Sequence, residues 1–440
     1  MRVSHVSLDD FRSYRHAVVE LPAGATVLVG PNGQGKTNLV EAIAYFSAFS
    51  SHRVAADGAL VRVDRDVAPE QAPGGAVVRV KLVTGERAGS GDSGSSGDEG
   101  GPVAGSGGRR AEAGASGAPR EQVLELEIVR GRANRARLNR TTVRPRDIVG
   151  MVRTVVFAPE DIQLIRGEPQ ARRRFLDDLA VQLRPTLSVD RAEFERVARQ
   201  RGALMRQASA QIRRGRAPDL STLDVWDQQF ARLSARMTAA RAELVGLLAR
   251  PAAEAYLRVS DSPKALALRL DASVDHADAA GADADPQDLE AQTERMLRVL
   301  AGHREREVER GVNLVGAHRD DLEVMLGGMP VKGYASHGET WSAALAARLG
   351  AFAVLEDQGE EPILILDDVF SELDSGRRRG LAQMVAGADQ VLVTAAVAED
   401  VPEALRGSRL DVRFDPERGS VVSPAPAGGA EALGEVDDGS

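Results

Sequence analysis

The chain has 440 residues, a formal net charge of -9 and no cysteine. That length accommodates two or three domains, and the missing thiols exclude disulfides and thiolate metal sites and point to a reducing cytosol. No run of about 18 apolar residues could span a bilayer, and residues 1–10 carry charges where a signal peptide would be apolar, so a cytoplasmic protein with no membrane partner is expected.

In chain order, two short strands are expected around residues 3–8 and 17–21, then an apolar run at 25–29 that enters a glycine turn and a helix over 37–48. Residues 86–120 are Gly, Ser, Ala and Asp with almost no large apolar side chain, too little surface to offset the entropy of ordering. They read as a disordered insertion at a hairpin tip between strand-like runs at 76–83 and 122–130. From 169 to about 255 the pattern is helical, with Phe175, Leu176, Leu179 and Leu183 on one face and Leu220, Leu223, Phe230, Leu233, Met237 and Leu244 following. Pro185, Pro218 and Pro251 are expected to divide this lobe into short helices, and no heptad run is long enough for a coiled-coil rod. Residues 271–287 look like a polar loop. Strand and helix alternation resumes over 314–394, where the apolar runs 362–366 and 390–393 read as buried parallel strands.

The strongest local signal is Gly30-Pro31-Asn32-Gly33-Gln34-Gly35-Lys36-Thr37, a complete Walker A sequence between an apolar strand and a helix. Its glycines let backbone N–H groups approach phosphate oxygens, Lys36 would reach the β- and γ-phosphates of ATP, and Thr37 would ligate Mg2+. Lys36 is one of four lysines (with Lys81, Lys264 and Lys332) against 52 arginines, so a lysine here invites a specific reason. Far downstream, Ile363-Leu364-Ile365-Leu366-Asp367-Asp368 ends an apolar strand in two acids, as a Walker B element does. Asp367 would hold magnesium through water and Asp368 would orient the attacking water. Ser371-Glu372-Leu373-Asp374 follows in the place of a D-loop. Between the Walker elements, Ser336-His337-Gly338-Glu339 opens an Ala- and Leu-rich helix in the position of an ABC signature; the same residues also spell a simple capping box.

These motifs come with others: Leu8-Asp9-Asp10-Phe11-Arg12-Ser13-Tyr14, Val156-Phe157-Ala158-Pro159-Glu160-Asp161, Gly167-Glu168-Pro169 with Arg172-Arg173-Arg174-Phe175-Leu176-Asp177, and Ala317-His318-Arg319-Asp320-Asp321-Leu322. In this order, over about residues 1–400, they resemble the RecF family of ABC-type, SMC-like ATPases. The resemblance implies an α/β fold: an ABC-type ATPase head, a P-loop lobe with a mixed sheet, plus a helical second lobe without a long coiled coil. The head would be discontinuous, 1–160 and 310–415, with helical lobe 161–309 and a disordered acidic tail at 421–440. It further implies ATP binding through residues 30–37 with Asn38, ATP-dependent homodimerisation and weak ATPase activity. DNA, as duplex or single-strand/duplex junction, and the proteins RecO and RecR would be partners in loading RecA at gaps. By family position Arg12 would lie near the nucleotide phosphates, and Ser336 and Gly338 would meet the γ-phosphate bound by the other protomer.

The chain departs from the family pattern at several points. His337 and Glu339 stand where many members have glutamines, adding a titratable group and an acid. Glu160, Asp161 and Gln163 all remain open as the Q-loop equivalent, and Thr394 takes the place of a switch histidine. Asp368 is one carbon, about 1.5 Å, shorter than the usual glutamate, so slow turnover is expected. For DNA, eight arginines fall between Arg130 and Arg153, with Arg132, Arg135, Arg137 and Arg140 at the centre and no acid before Asp147. They read equally as a phosphate-binding strip or as solvated surface. An SMC-type structural ATPase would need a rod, a transporter subunit a far shorter spacing between motifs, and an OLD-type nuclease a second acidic domain.

Overall fold

The computed structural model describes residues 1–51, 53–54, 56–63, 74–85, 119–260, 262–281, 284–359 and 361–425. The insertion expected at 86–120, apart from its last two residues, and the tail beyond 425 lie outside the described residues. The strands flanking the insertion pair antiparallel, Gly75–Thr84 with Arg120–Val129, and Thr84 faces Arg120.

A twelve-stranded sheet organises the described residues. From one edge, the strands Thr141–Val143, Arg135–Leu138, Arg120–Val129, Gly75–Thr84, Arg2–Phe11, Tyr14–Glu20 and Gly419–Pro424 pair antiparallel, and the last pairs in the same way with Ser408–Asp415. From Ser408–Asp415 the sheet turns parallel through Gly24–Val29, Gln390–Ala395, Ile363–Asp367 and Thr154–Phe157. The mixed sheet expected of the head is therefore present, with the motif-bearing strands in its parallel half.

Both faces of that half are covered, which is why its strands read as unbroken apolar runs. Ile363, Ile365 and Leu392 pack with Leu39, Ile43 and Phe46 of the P-loop helix, Lys36–Ala48. Leu364, Leu366, Val391 and Val393 share a core with Leu345, Leu349 and Leu355 of the signature helix, His337–Asp357.

The helical lobe comprises Pro169–Leu183, whose Phe175, Leu176 and Leu179 join the core beneath the signature helix, and Leu187–Arg213, Leu223–Val259 and Leu289–Arg310 around Phe194, Val197, Phe230, Met237, Val299 and Leu300. Three expectations need correcting. Pro251 does not end a helix: Leu223–Val259 continues through it for 37 residues. The segment past Pro251 is held by the signature helix, so close that a Cβ on Gly350 would sit 3.0 Å from the Ala252 nitrogen. Tertiary packing overrides the local cost of proline here. Second, the lobe contains a strand, Leu266–Asp271, paired with Asp321–Leu326 in a separate three-stranded sheet. Its short alternation of Leu266 and Leu268 inward was hidden beside the 271–287 loop. Third, the start of the predicted tail is ordered, because Gly419–Pro424 pairs with Ser408–Asp415.

Candidate nucleotide site

The C-terminal ends of the parallel strands gather Walker A, Walker B and Thr394, the place where open α/β sheets bind ligands. Leaving the strand Gly24–Val29, the chain makes a loop whose Gly33 and Gly35 have φ of 82° and 110°. Gly35 is required twice over, since a Cβ there would lie 2.3 Å from Ser420 Oγ and 2.8 Å from Ser13 Oγ. The loop is buttressed from neighbouring strands: Tyr14 donates its hydroxyl to the Gly35 carbonyl at 3.0 Å, Asn38 Nδ2 donates to Ser13 Oγ at 2.7 Å, and Gln34 Oε1 accepts the Phe414 N–H at 2.6 Å. Pro31, Asn32 and Gly33 form its exposed lip.

Lys36 is buried, 5% exposed, and its ammonium donates to the Gly30 and Pro31 carbonyls at 2.6 and 3.0 Å. Burial pulls it below its ordinary range, opposed by Asp368 and Asp367. Walker A is locked to Walker B by the hydroxyl of Thr37, which donates to Asp367 Oδ1 at 2.9 Å, and that oxygen also accepts from Thr394 Oγ1 at 2.6 Å. Thr394 Oγ1 in turn accepts the Asp368 N–H at 2.9 Å. This hydrogen bond helps hold Asp368 in a left-handed conformation, φ 51°, rare for a residue with a Cβ and common at functional sites. Burial pushes the Asp368 carboxyl above its usual range; Lys36 opposes this, while Asp367 and Glu372 add to it.

Around these groups lies a cleft of about 250 Å³ lined by Gly33, Gly35, Lys36, Thr37, Asn38 and Asp368, with Arg53 and Thr394 completing the wall. The carboxylate of Asp367 beside the hydroxyl of Thr37 is a hard-oxygen pair of the kind magnesium takes. Sequence reading placed Arg12 at the phosphates; in the structure its guanidinium is held by Glu41 at 2.7 and 2.9 Å and by the Ala59 carbonyl. A second cation in the cleft wall, beside Lys36, is Arg53, which donates to Asn38 Oδ1 at 2.9 Å and lies 3.5 Å from Glu41. Lying outside every motif, Arg53 had no sequence signal of its own.

Ser336 and Gly338 stand elsewhere, at the start of the signature helix. The capping box is formed: Ser336 Oγ accepts the Glu339 N–H at 3.2 Å and Glu339 Oε2 accepts the Ser336 N–H at 2.9 Å. The D-loop is pinned to this helix by Arg377, whose Nε donates to Ser342 Oγ at 2.9 Å while the guanidinium also pairs with Asp374. A Cβ on Gly338 would lie 2.5 Å from that guanidinium, so Gly338 is the residue that admits it.

The remaining motif blocks are joints between elements. Asp161 binds Arg348 of the signature helix at 2.7 Å. Arg172 grips Asp321 through two bonds of 2.6 and 2.8 Å, and Arg241 grips Asp177 at 2.8 and 2.9 Å. Asp320 accepts from Thr238 at 2.8 Å and from the Ser273 N–H at 3.0 Å. The arginine strip is not free of acid. Arg135 and Arg137 sit across from Glu127 and Glu125 of the adjoining strand, at 3.6 and 2.8 Å, and Arg144 pairs with Asp147. Arg132 and Arg140 are exposed at the hairpin ends.

A family model described as an AAA domain matches residues 5–91. The chain is 49% identical over 431 residues to the DNA replication and repair protein RecF of Beutenbergia cavernae, covering 94% of this chain and 98% of that one. To RecF of Streptomyces avermitilis it is 44% identical over 414 residues, again covering 94% and 98%. Among solved structures, the recombination mediator protein RecF-ATPrS in the RecFOR pathway matches with a TM-score of 0.75 at 22% identity, over 96% of this chain and 98% of that one, a likeness of fold. With identity of this order along nearly the whole length, the chain belongs to the RecF family of DNA replication and repair proteins.

Proposed function

We propose that the cleft binds ATP with Mg2+, and that two copies close on two nucleotides, each held by the Walker motifs of one protomer and the signature helix of the other. The dimer closes on DNA, slow hydrolysis resets it, and the closed state serves, with RecO and RecR, to place RecA at gapped DNA. One observation carries the nucleotide reading: Thr37 and Thr394 converge on a single oxygen of Asp367, in front of a lysine whose hydrogen bonds go to neutral carbonyls. The loop N–H groups and Lys36 would receive phosphate oxygens. Thr37 and Asp367 would hold the magnesium ion, which supplies charge neutralisation on the phosphates. Asp368 would orient and deprotonate the attacking water.

The solved structure of the recombination mediator protein RecF-ATPrS, named for the RecFOR pathway, supports the nucleotide and the partners. Exposed arginines at 132, 135, 137 and 140 favour backbone contact with a duplex or a single-strand/duplex junction. Sedimentation velocity tests the core of the proposal: wild type dimerises on adding ATP and Mg2+, and Lys36→Met stays monomeric. A wild type that remains monomeric at every ATP concentration, with and without DNA, ends the proposal.

A further inference from the structure

Three of the four lysines in this arginine-dominated chain do not touch the phosphate loop. Lys81 pairs with Glu121 at 2.9 Å, and Lys332 with the Gly167 carbonyl at 3.2 Å. Lys264, on the loop before the strand Leu266–Asp271, reaches into the signature motif: its ammonium donates to Glu339 Oε1 at 2.7 Å. Glu339 Oε1 also takes a weak bond from Ser262 Oγ at 3.4 Å, and Oε2 holds the Ser336 N–H.

The first turn of a helix attracts an anion through its unpaired N–H groups and its dipole. Glu339 already places one negative charge there, where a second copy would present its γ-phosphate. The acid helps the helix start and repels the incoming ligand. A cation on Oε1 cancels the repulsion without disturbing the cap. Lysine suits this task better than arginine: a point-like ammonium takes one oxygen, whereas a guanidinium fork prefers both and would draw Oε2 from Ser336. Half of the Lys264 side chain is exposed, and an exposed ion pair adds little to folding stability, so stability does not account for it.

We infer that Lys264 is a positioning residue for the signature motif, holding and neutralising Glu339 so that the helix start at Ser336 can receive the γ-phosphate bound by a second copy. The inference rests on the two-copy reading above and adds a residue from the neighbouring lobe to the composite site. The Glu339 carboxyl is drawn down to about 2, chiefly by the hydrogen bond from Lys264, which agrees with a fully ionised acid needing compensation.

The test is a double-mutant cycle read by sedimentation velocity with ATP and Mg2+, alongside ATP affinity of the monomer and thermal unfolding. Lys264→Ala weakens ATP-dependent dimerisation about tenfold, a loss of about 1.4 kcal/mol, with monomer ATP affinity and melting temperature unchanged. Adding Glu339→Gln to Lys264→Ala restores dimerisation, because glutamine keeps the cap without the charge. Lys264→Ala dimerising like wild type, or a double variant as weak as Lys264→Ala, overturns the role of Lys264 alone. A wild type that ignores ATP overturns the two-copy reading, and Lys264 with it.

Discussion

Lys36 and Arg201 are both buried cations, 5% and 0% exposed, and they are provisioned in opposite ways. Arg201 meets Asp227, Glu307 and Asn313, each at 2.7 Å, and lies over the Phe230 ring at 5.1 Å to its centroid. Its charge is cancelled by acids within the helical lobe. Among the described residues, Lys36 donates directly to carbonyl oxygens alone, with the Walker B acids acting from a distance. A cation already bound to acids holds helices together; one resting on carbonyls can exchange them for phosphate at little cost. The same contrast separates the buried joints at Arg172 and Arg241 from the cleft.

Substitution gives the sharpest break. Arg201→Met leaves Asp227 and Glu307 buried and short of a partner, at a cost of about 3–5 kcal/mol, read from urea denaturation midpoints. Lys36→Met should change stability, read in the same way, by less than about 1 kcal/mol while abolishing ATP binding. Equal losses from the two variants would erase the distinction.

The second effect belongs to His318, seated among Phe194, Phe230 and Arg201 with its Nε2–H on the Asn313 carbonyl. Burial brings it down to about 4 from an ordinary value of 6.5, the Asn313 bond opposing this and Arg319, Arg173 and Arg201 adding to it. The folded value lies below the unfolded one, so the unfolded chain binds the proton more readily. Stability is full above the ordinary value and is lost as pH falls from about 6.5 towards about 4, by about 3 kcal/mol. His318→Gln should remove that loss from the difference between midpoints at neutral and acid pH; an unchanged pH dependence would show that His318 carries none of it.

In the proposed role Asp368 must be ionised to act as a base, and the upward push of burial on its carboxyl should place the acid limb of kcat above the ordinary carboxylate range. Glu372→Gln removes one negative charge that raises it and should move that limb to lower pH. A limb that does not move, or moves up, assigns it to another group. Asp368→Asn should stop hydrolysis and preserve the ATP-bound dimer.

The smallest effects belong to the arginine strip. Because Arg135 and Arg137 face Glu127 and Glu125 at the surface, Arg137→Ala should cost under about 1 kcal/mol in stability. Reversing the charge at Arg132, Arg137 and Arg140 together should weaken duplex binding and flatten its salt dependence. Unchanged binding takes the strip out of the DNA interface.

Much of the cleft was legible because its chemistry is local in sequence: residues 30–37 form one loop and the start of its helix, and Asp367 and Asp368 stand at the end of one strand. The lock between them was not, since Thr37 and Asp367 meet across 330 positions. For Arg12, nothing in its own neighbourhood reveals that Glu41, on the P-loop helix, holds it. The arginine strip looked uncompensated because its acids come from the preceding strand, outside the window in which charge was counted. The alternation of strands and helices conveyed the mixed sheet, while the strand Leu266–Asp271 and the passage through Pro251 depend on partners distant in the chain. Several family blocks, read as identity marks, turn out to be ion-paired joints such as Arg172 with Asp321.

Complementation between two inactive chains tests the composite site most directly. Lys36→Met lacks a working Walker A and Ser336→Arg lacks a working signature; each alone should show no ATP-dependent dimer and no hydrolysis. Mixed in equal amounts with ATP, Mg2+ and DNA, they can form a heterodimer with one intact site, Walker A from the Ser336→Arg chain and signature from the Lys36→Met chain. The account predicts that the mixture regains ATP-dependent association and hydrolysis. A mixture as inert as its parents, with both chains folded, would contradict it.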